Sequence, residues 1–193
     1  MNYLAHLYLS ADSSEALVGG LLGDFVKGRL VPGRYPPRVL AAIALHRRID
    51  GFVDRHPVTL RSRARFGPGF RRYAGILLDL FHDHFLARDW DAHAAEPLAA
   101  FADRAYRAFT RHEALLPARA RLVVRAMARD DWLGGYGHPD GVRRALHGIS
   151  GRLTRANPLA AGFAELARDY RRLEREFHEL LPEVRRFAAA QGG

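Results

Sequence analysis

Residues 39–53 read Val39-Leu40-Ala41-Ala42-Ile43-Ala44-Leu45-His46-Arg47-Arg48-Ile49-Asp50-Gly51-Phe52-Val53. Val39, Ile43, His46, Asp50 and Val53 follow the i, i+4, i+7 rhythm of one helix face. His46 and Asp50 thus occupy the apolar stripe itself, one turn apart, with room for a shared ligand between them. Ile76, Asp79, Asp83 and Leu86 repeat the pattern, as do Leu17, Leu21 and Asp24. A carboxylate buried without a partner costs several kcal/mol, so groups placed this way need a counter-charge, and a metal ion can serve several of them at once.

Outward from that segment the chain reads as helix throughout. Asp12 with Glu15 forms a capping box that opens a helix to about Lys27, ahead of Gly28. A turn-rich connector, 31–37, leads into the helix that holds His46, which frays near Asp54 and ends at Pro57. Residues 58–68 suggest an arginine-rich helical turn before the breaker Gly67-Pro68-Gly69, and a strong helix follows from about Phe70 to Asp89. Leu98, Phe101, Ala105, Phe109 and His112 mark another, stopped by Pro117. Residues 118–133 continue as helix until a loop at 134–139. Asp140 then caps a short helix to about Leu153. Asn157-Pro158 opens a long helix to about Leu181, with a last short one beyond Pro182. With no sustained alternating pattern and no internal repeat, the expectation is a single all-α domain over 1–193, a helical bundle whose chemistry is concentrated in 1–90.

The 193 residues suffice for one hydrophobic core. Cysteine is absent, which excludes disulfides, thiolate catalysis and cysteine-ligated zinc. Any metal must therefore be held by nitrogen and oxygen, a set that suits manganese, iron, magnesium or zinc. The apolar opening Met1–Leu9 lacks a basic lead-in, and His6 interrupts it; it makes a poor signal peptide and is too short to span a bilayer. A cytoplasmic protein without membrane association is expected. The net charge of +9 points to an acidic partner, although the single lysine, Lys27, leaves nearly all the basicity to scattered arginines that would equally suit a solvated surface.

The site chemistry rests on the inward acids and histidines. His46 with Asp50, and Asp79 with Asp83 followed by His84, can each reach one cation. Their surplus over the needs of one ion allows two metals, or one metal beside a general acid. Arg47 and Arg48 offer forked donors for a phosphate, and Lys27 adds a point charge one turn after Asp24. Taken singly, each has a plainer reading: a hydrogen-bonded pair, a solvated face, a helix-end carboxylate, a core histidine at position 6. Their concentration in helices that should pack together favours the metal. His93, His112, His138, His147 and His178 are scattered and receive no role.

Four motifs in order, Asn2-Tyr3-Leu4-Ala5-His6-Leu7, Gly23-Asp24-Phe25-Val26-Lys27-Gly28, His46-Arg47-Arg48-Ile49-Asp50-Gly51-Phe52-Val53-Asp54 and Asp79-Leu80-Phe81-His82-Asp83-His84-Phe85-Leu86, with Arg88 and Trp90 after them, resemble the acyl carrier protein phosphodiesterases. That family is regarded as a divergent branch of the HD phosphohydrolases, and the resemblance implies an HD-like, metal-binding helical architecture. Here the adjacent pair reads Asp83-His84, the reverse of the signature dipeptide. Carried over residue by residue, the resemblance implies a metal shell of His6, Asp24, His46, Asp79 and Asp83, with Asp50 and His84 as further ligands or proton shuttles. It assigns Arg47 and Arg48 to the phosphoryl oxygens. His82 is a bystander by this match. The implied reaction removes the 4′-phosphopantetheine arm from holo acyl carrier protein, with manganese as the usual metal, which places it in fatty acid metabolism.

The resemblance also gives the charge a meaning, because acyl carrier proteins are acidic. Candidate docking groups are Lys27, Arg61, Arg63, Arg65, Arg71 and Arg72. An HD-type hydrolase acting on a nucleotide or another small phosphate ester would use the same shell. A basic helical nucleic-acid-binding module would explain the charge but not the acids on apolar faces, so no stable nucleic-acid partner is expected. The second half of the chain is read mainly as packing for the metal-bearing helices.

Overall fold

The computed structural model describes residues 1–10 and 12–191. Its α-helices are α1 (Tyr3–Leu9), α2 (Ser14–Leu22), α3 (Pro37–Arg55), α4 (Pro57–Arg63), α5 (Ala74–Arg88), α6 (Leu98–Arg111), α7 (Ala118–Arg129), α8 (Trp132–Gly135), α9 (Pro139–Arg152) and α10 (Phe163–Gln191). Short 3-10 turns at Arg71–Tyr73, Trp90–Ala92, Glu113–Leu115 and Leu159–Ala161 join some of them, and no strand occurs among the described residues. The all-α expectation is met.

α5 is the central element. Leu77, Leu78, Leu80, Phe81, Phe85 and Leu86 are buried, as are His82, Asp83 and His84, so the helix is enclosed almost all round. α1 packs against α2 and α5, α2 lies along α3, α10 crosses α3, α4 and α5, and α9 closes against α5 from the far side. The α2–α3 approach is close enough to require glycine: a Cβ on Gly19 would lie 2.5 Å from both the Ala42 Cβ and the Val39 carbonyl oxygen. Among the described residues no helix is long and apolar enough to cross a membrane.

The boundaries depart from the sequence reading in informative places. Ser13, not Asp12, caps α2, its hydroxyl accepting the Ala16 N–H at 3.1 Å. α2 stops at Leu22 rather than near Lys27, and residues 23–25 form a turn that swings Asp24 toward α3. Arg47 holds the strand of loop that follows, donating to the carbonyls of Val26 (2.5 Å) and Gly28 (2.7 Å). The first turn of the expected helix from Phe70 is 3-10, and the expected loop at 134–139 begins inside the single turn α8. α10 runs through Pro182, which sits on its exposed face where water can satisfy the freed carbonyl; the bend falls instead at Asp169 (φ −115°, ψ 19°).

Candidate active site

α1, α3 and the turn after α2 bring their polar side chains together at one place. α3 brings His46 and Asp50, α1 brings His6, and the turn after α2 brings Asp24. The His6 and His46 rings stack with centroids 3.5 Å apart and planes 14° from parallel. His6 Nε2 lies 3.0 Å from Asp50 Oδ1. His46 Nδ1–H donates to the Gly20 carbonyl at 2.7 Å, which fixes the tautomer and leaves Nε2 facing Asp50 Oδ2 at 3.3 Å and Asp24 Oδ1 at 3.7 Å. In a neutral imidazole that Nε2 carries a lone pair, so two carboxylate oxygens and a lone pair point at one another. A cation there, a proton on Nε2 or a metal ion, would make the arrangement favourable.

Local sequence enforces this geometry. A Cβ on Gly23 would fall 2.1 Å from His46 Cγ, so the imidazole lies where a side chain would otherwise be. A Cβ on Gly20 would meet the Ser10 hydroxyl at 2.4 Å, and that hydroxyl donates to the His6 carbonyl at 2.7 Å. Burial pushes the His6 imidazole down to about 3, which keeps it neutral as metal ligation requires. Burial alone would raise Asp50, but hydrogen bonding to His46 and His6 outweighs it and holds the carboxyl well below the usual carboxylate range.

Asp79, one turn before Asp83 on α5, faces the same centre from the other side. Its Oδ1 accepts from the Met1 α-amino group at 2.9 Å, and the amine is 3.5 Å from Asp50 Oδ1. Burial opposes the charge of this amine, but the carboxylates of Asp79 and Asp50 overcome it and raise the group to about 10. His6, His46 and Asp50 thus form a group able to hold a metal ion, with Asp24 and Asp79 at its edges. Neutral nitrogen and carboxylate oxygen without sulfur is a donor set suited to a divalent first-row ion or magnesium.

The other sequence-derived candidates lie elsewhere. Asp83 is fully buried, and its two oxygens accept the Leu4 N–H at 2.8 Å and the Ala5 N–H at 3.0 Å, so it satisfies orphan amides in the first turn of α1 instead of turning to the imidazoles. Burial pushes its carboxyl up to about 7 against those two donors. His84 donates from Nδ1 to the Tyr136 carbonyl and accepts at Nε2 from the Tyr170 hydroxyl, both at 2.8 Å, which commits both ring nitrogens to the end of α8 and to α10. Arg47 clamps the loop after α2, and Arg48 is exposed with one long contact to the Gln191 carbonyl. His82 packs near Phe177, and its buried Nδ1 has no hydrogen-bond partner among the described residues.

Arg61 pairs with Glu176 and Glu179, Arg65 with Glu176 and Arg63 with Asp54, whereas Arg71, Arg72 and Lys27 are exposed. A second cluster, Asp89, Glu174 and His178, also has metal-like spacing. Arg88 already neutralises it, donating to Asp89, Glu174 and the Tyr170 hydroxyl.

Sequence reasoning missed the supports: the Gly20 carbonyl, the opening at Gly23 and the amides of α1. Glycines at 19, 20 and 23 in an otherwise strong helical run were the available signal, since each costs helix stability unless something approaches closely. Also missed was a groove of about 810 Å³ that starts at Asp24 and Asp79 and continues between α7, α8 and α9.

Asp24 and Asp79 put the edge of the imidazole–carboxylate cluster at one end of the groove, a concave polar setting of the kind that serves as a binding or active site. The family model described as acyl carrier protein phosphodiesterase matches residues 1–184. A protein of Serratia proteamaculans (strain 568) with that name is 37% identical over 187 residues, covering 95% of each chain. The Yersinia pestis protein is 35% identical over 97% of each, and that of Pectobacterium atrosepticum 32% over 99% of each. No solved structure matches the chain. The chain belongs to the acyl carrier protein phosphodiesterase family, and so to the phosphoric diester hydrolases.

Proposed function

We propose that the protein is a metal-dependent phosphodiesterase that removes the 4′-phosphopantetheine arm from holo acyl carrier protein and leaves the apo protein. Two things support the reading: the name shared by relatives that match end to end, and His46 Nε2 directed at the oxygens of both Asp24 and Asp50. His6, His46, Asp50 and Asp24 would hold the ion, with Asp79 facing it from α5. A divalent ion there supplies Lewis acidity and lowers the pKa of a bound water toward ~7. Manganese is the metal the resemblance implies, and an HD-like relationship belongs to the same proposal.

The chain's own residues supply the rest. The Gly20 carbonyl sets the tautomer and angle of His46, and Asp83 anchors the α1 turn that carries His6. Lys27, on the groove wall beyond Asp24, places a positive charge near the phosphoryl oxygens. In the overall reaction the water oxygen bonds to phosphorus, the bond from phosphorus to the serine oxygen breaks, and that oxygen takes up a proton. Hydrolysis in ¹⁸O-enriched water tests this course: the label should appear in the phosphate of the released 4′-phosphopantetheine and not in the serine. Label in the protein would place the cleavage at the other bond and refute it.

A further inference from the structure

The arginines of this chain divide into two populations. Several arginines of α4, the turn after it and α10 are neutralised at home: Arg61 and Arg65 by Glu176, Arg63 by Asp54, Arg168 by Glu165. Around the groove the opposite holds. Lys27, Arg119 and Arg144 line it without an ion pair among the described residues, and Arg152 only lies over the Trp132 ring, 5.7 Å from its centroid. Lys27, Arg119, Arg144 and Arg152 are all exposed. The groove between them is apolar where Ile76, Trp132, Ala145 and Ile149 line it, and one end opens on Asp24 and Asp79. The acids at its other end are already engaged: Arg129 holds Asp130, and Asp131 accepts from the Tyr106 hydroxyl at 3.1 Å.

We propose that this groove, built by α7, α8 and α9 in the second half of the chain, seats the pantetheine arm of the acidic carrier protein, and that Arg119, Arg144 and Arg152 on its rim meet the carrier's carboxylates. The inference rests on the function proposed above and assigns its substrate-recognition surface. The arm is a flexible chain with a branched hydrocarbon segment, two amides and one phosphate end. A groove with apolar walls that ends at Asp24 and Asp79, on the edge of the imidazole–carboxylate cluster, fits that order: phosphate at Asp24 and Asp79, hydrocarbon along Ile76, Trp132 and Ile149. A volume of about 810 Å³ exceeds what the bare arm fills. Unpaired arginines on the rim are available to a partner without first breaking an internal pair, which the Arg61–Arg65 cluster is not.

The test uses the full-length protein loaded with Mn²⁺, with holo carrier protein and bis(p-nitrophenyl) phosphate as parallel substrates. The double charge reversal Arg119→Glu with Arg144→Glu should raise KM for the carrier protein about tenfold or more at low salt, with kcat nearly unchanged and a flattened salt dependence. Hydrolysis of the small diester should be unaffected, which also shows that the variant is folded. Ala145→Trp, which narrows the groove, should reduce kcat/KM for the carrier protein and spare the small diester. Unchanged carrier-protein kinetics in both variants would overturn the assignment. Variants equally impaired on both substrates would overturn it too, since the damage would then be to the centre. A wild-type protein that cleaves the small diester but never the carrier protein would instead refute the proposed function.

Discussion

Replacing Gly23 by alanine puts a Cβ 2.1 Å from His46 Cγ, 2.4 Å from Cδ2 and 2.5 Å from Nδ1. The ring cannot swing aside freely: it is stacked on His6 at 3.5 Å and tethered to the Gly20 carbonyl at 2.7 Å. Relief therefore requires His46 to move by about 1 Å or the turn after α2 to shift, and either change breaks the alignment of Nε2 with Asp24 and Asp50. Overpacking of this kind costs roughly 1–3 kcal/mol, and the loss of the tether adds about 1 kcal/mol. For a chain of this length the melting temperature should fall by roughly 4–16 °C. Activity should fall further, because a displacement of about 1 Å can cost ~100-fold in rate. The assay is kcat/KM for holo carrier protein, with Mn²⁺ affinity by calorimetry and a thermal melt. A Gly23→Ala enzyme with wild-type kcat/KM and an unchanged melt would refute the claim that the Gly23 opening positions His46.

Asp83→Ala strips both acceptors from the Leu4 and Ala5 amides. At about 1–3 kcal/mol per unsatisfied buried donor it should cost roughly 2–6 kcal/mol in denaturant titration. A fully stable variant would show that the amides find water. His82 is buried and neutral, with burial lowering it to about 3 from 6.5. The unfolded chain therefore binds the extra proton between those values, and stability falls as pH drops through the window. Between pH 6.5 and 5 the contribution is roughly 1–2 kcal/mol, so His82→Leu should show a correspondingly shallower loss of stability over that range than the wild type. Equal slopes would refute the neutral assignment. Arg47→Ala releases the Val26–Gly28 loop that follows Asp24 and should reduce kcat/KM about tenfold, whereas Arg48→Ala should stay within about twofold of wild type. If both lost kcat together, the phosphate-clamp reading of the pair would be correct instead.

The helix face that carries Val39, Ile43, His46, Asp50 and Val53 was legible because periodicity and the cost of buried charge point the same way, and the structure groups His46 with Asp50 and His6 as that logic requires. The same logic could not separate Asp79 from Asp83. Both sit on one face of α5, one turn apart, but the first turn of α1 falls on Asp83 and consumes its oxygens, a tertiary contact between residues far apart in sequence. His84 and Arg47 were drawn toward the chemistry by adjacency to motif residues, yet neighbours along a helix point in different directions. His84 faces Tyr136 and Tyr170, and Arg47 faces the loop. The groove was illegible for a different reason. Much of its lining comes from α7, α8 and α9, where the sequence reading singled out no acid or histidine on an apolar face, and free arginines look like paired ones in sequence.

The central claim is that the imidazole–carboxylate centre at Asp50 cleaves the arm from a carrier protein. The most direct test is the intact mass of purified holo acyl carrier protein after incubation with this protein and Mn²⁺, beside a chelator control and the Asp50→Ala variant. The account predicts complete conversion to the apo mass with the wild type and none in either control. An unchanged holo mass with metal bound to the wild-type protein, or full conversion by Asp50→Ala, would contradict it.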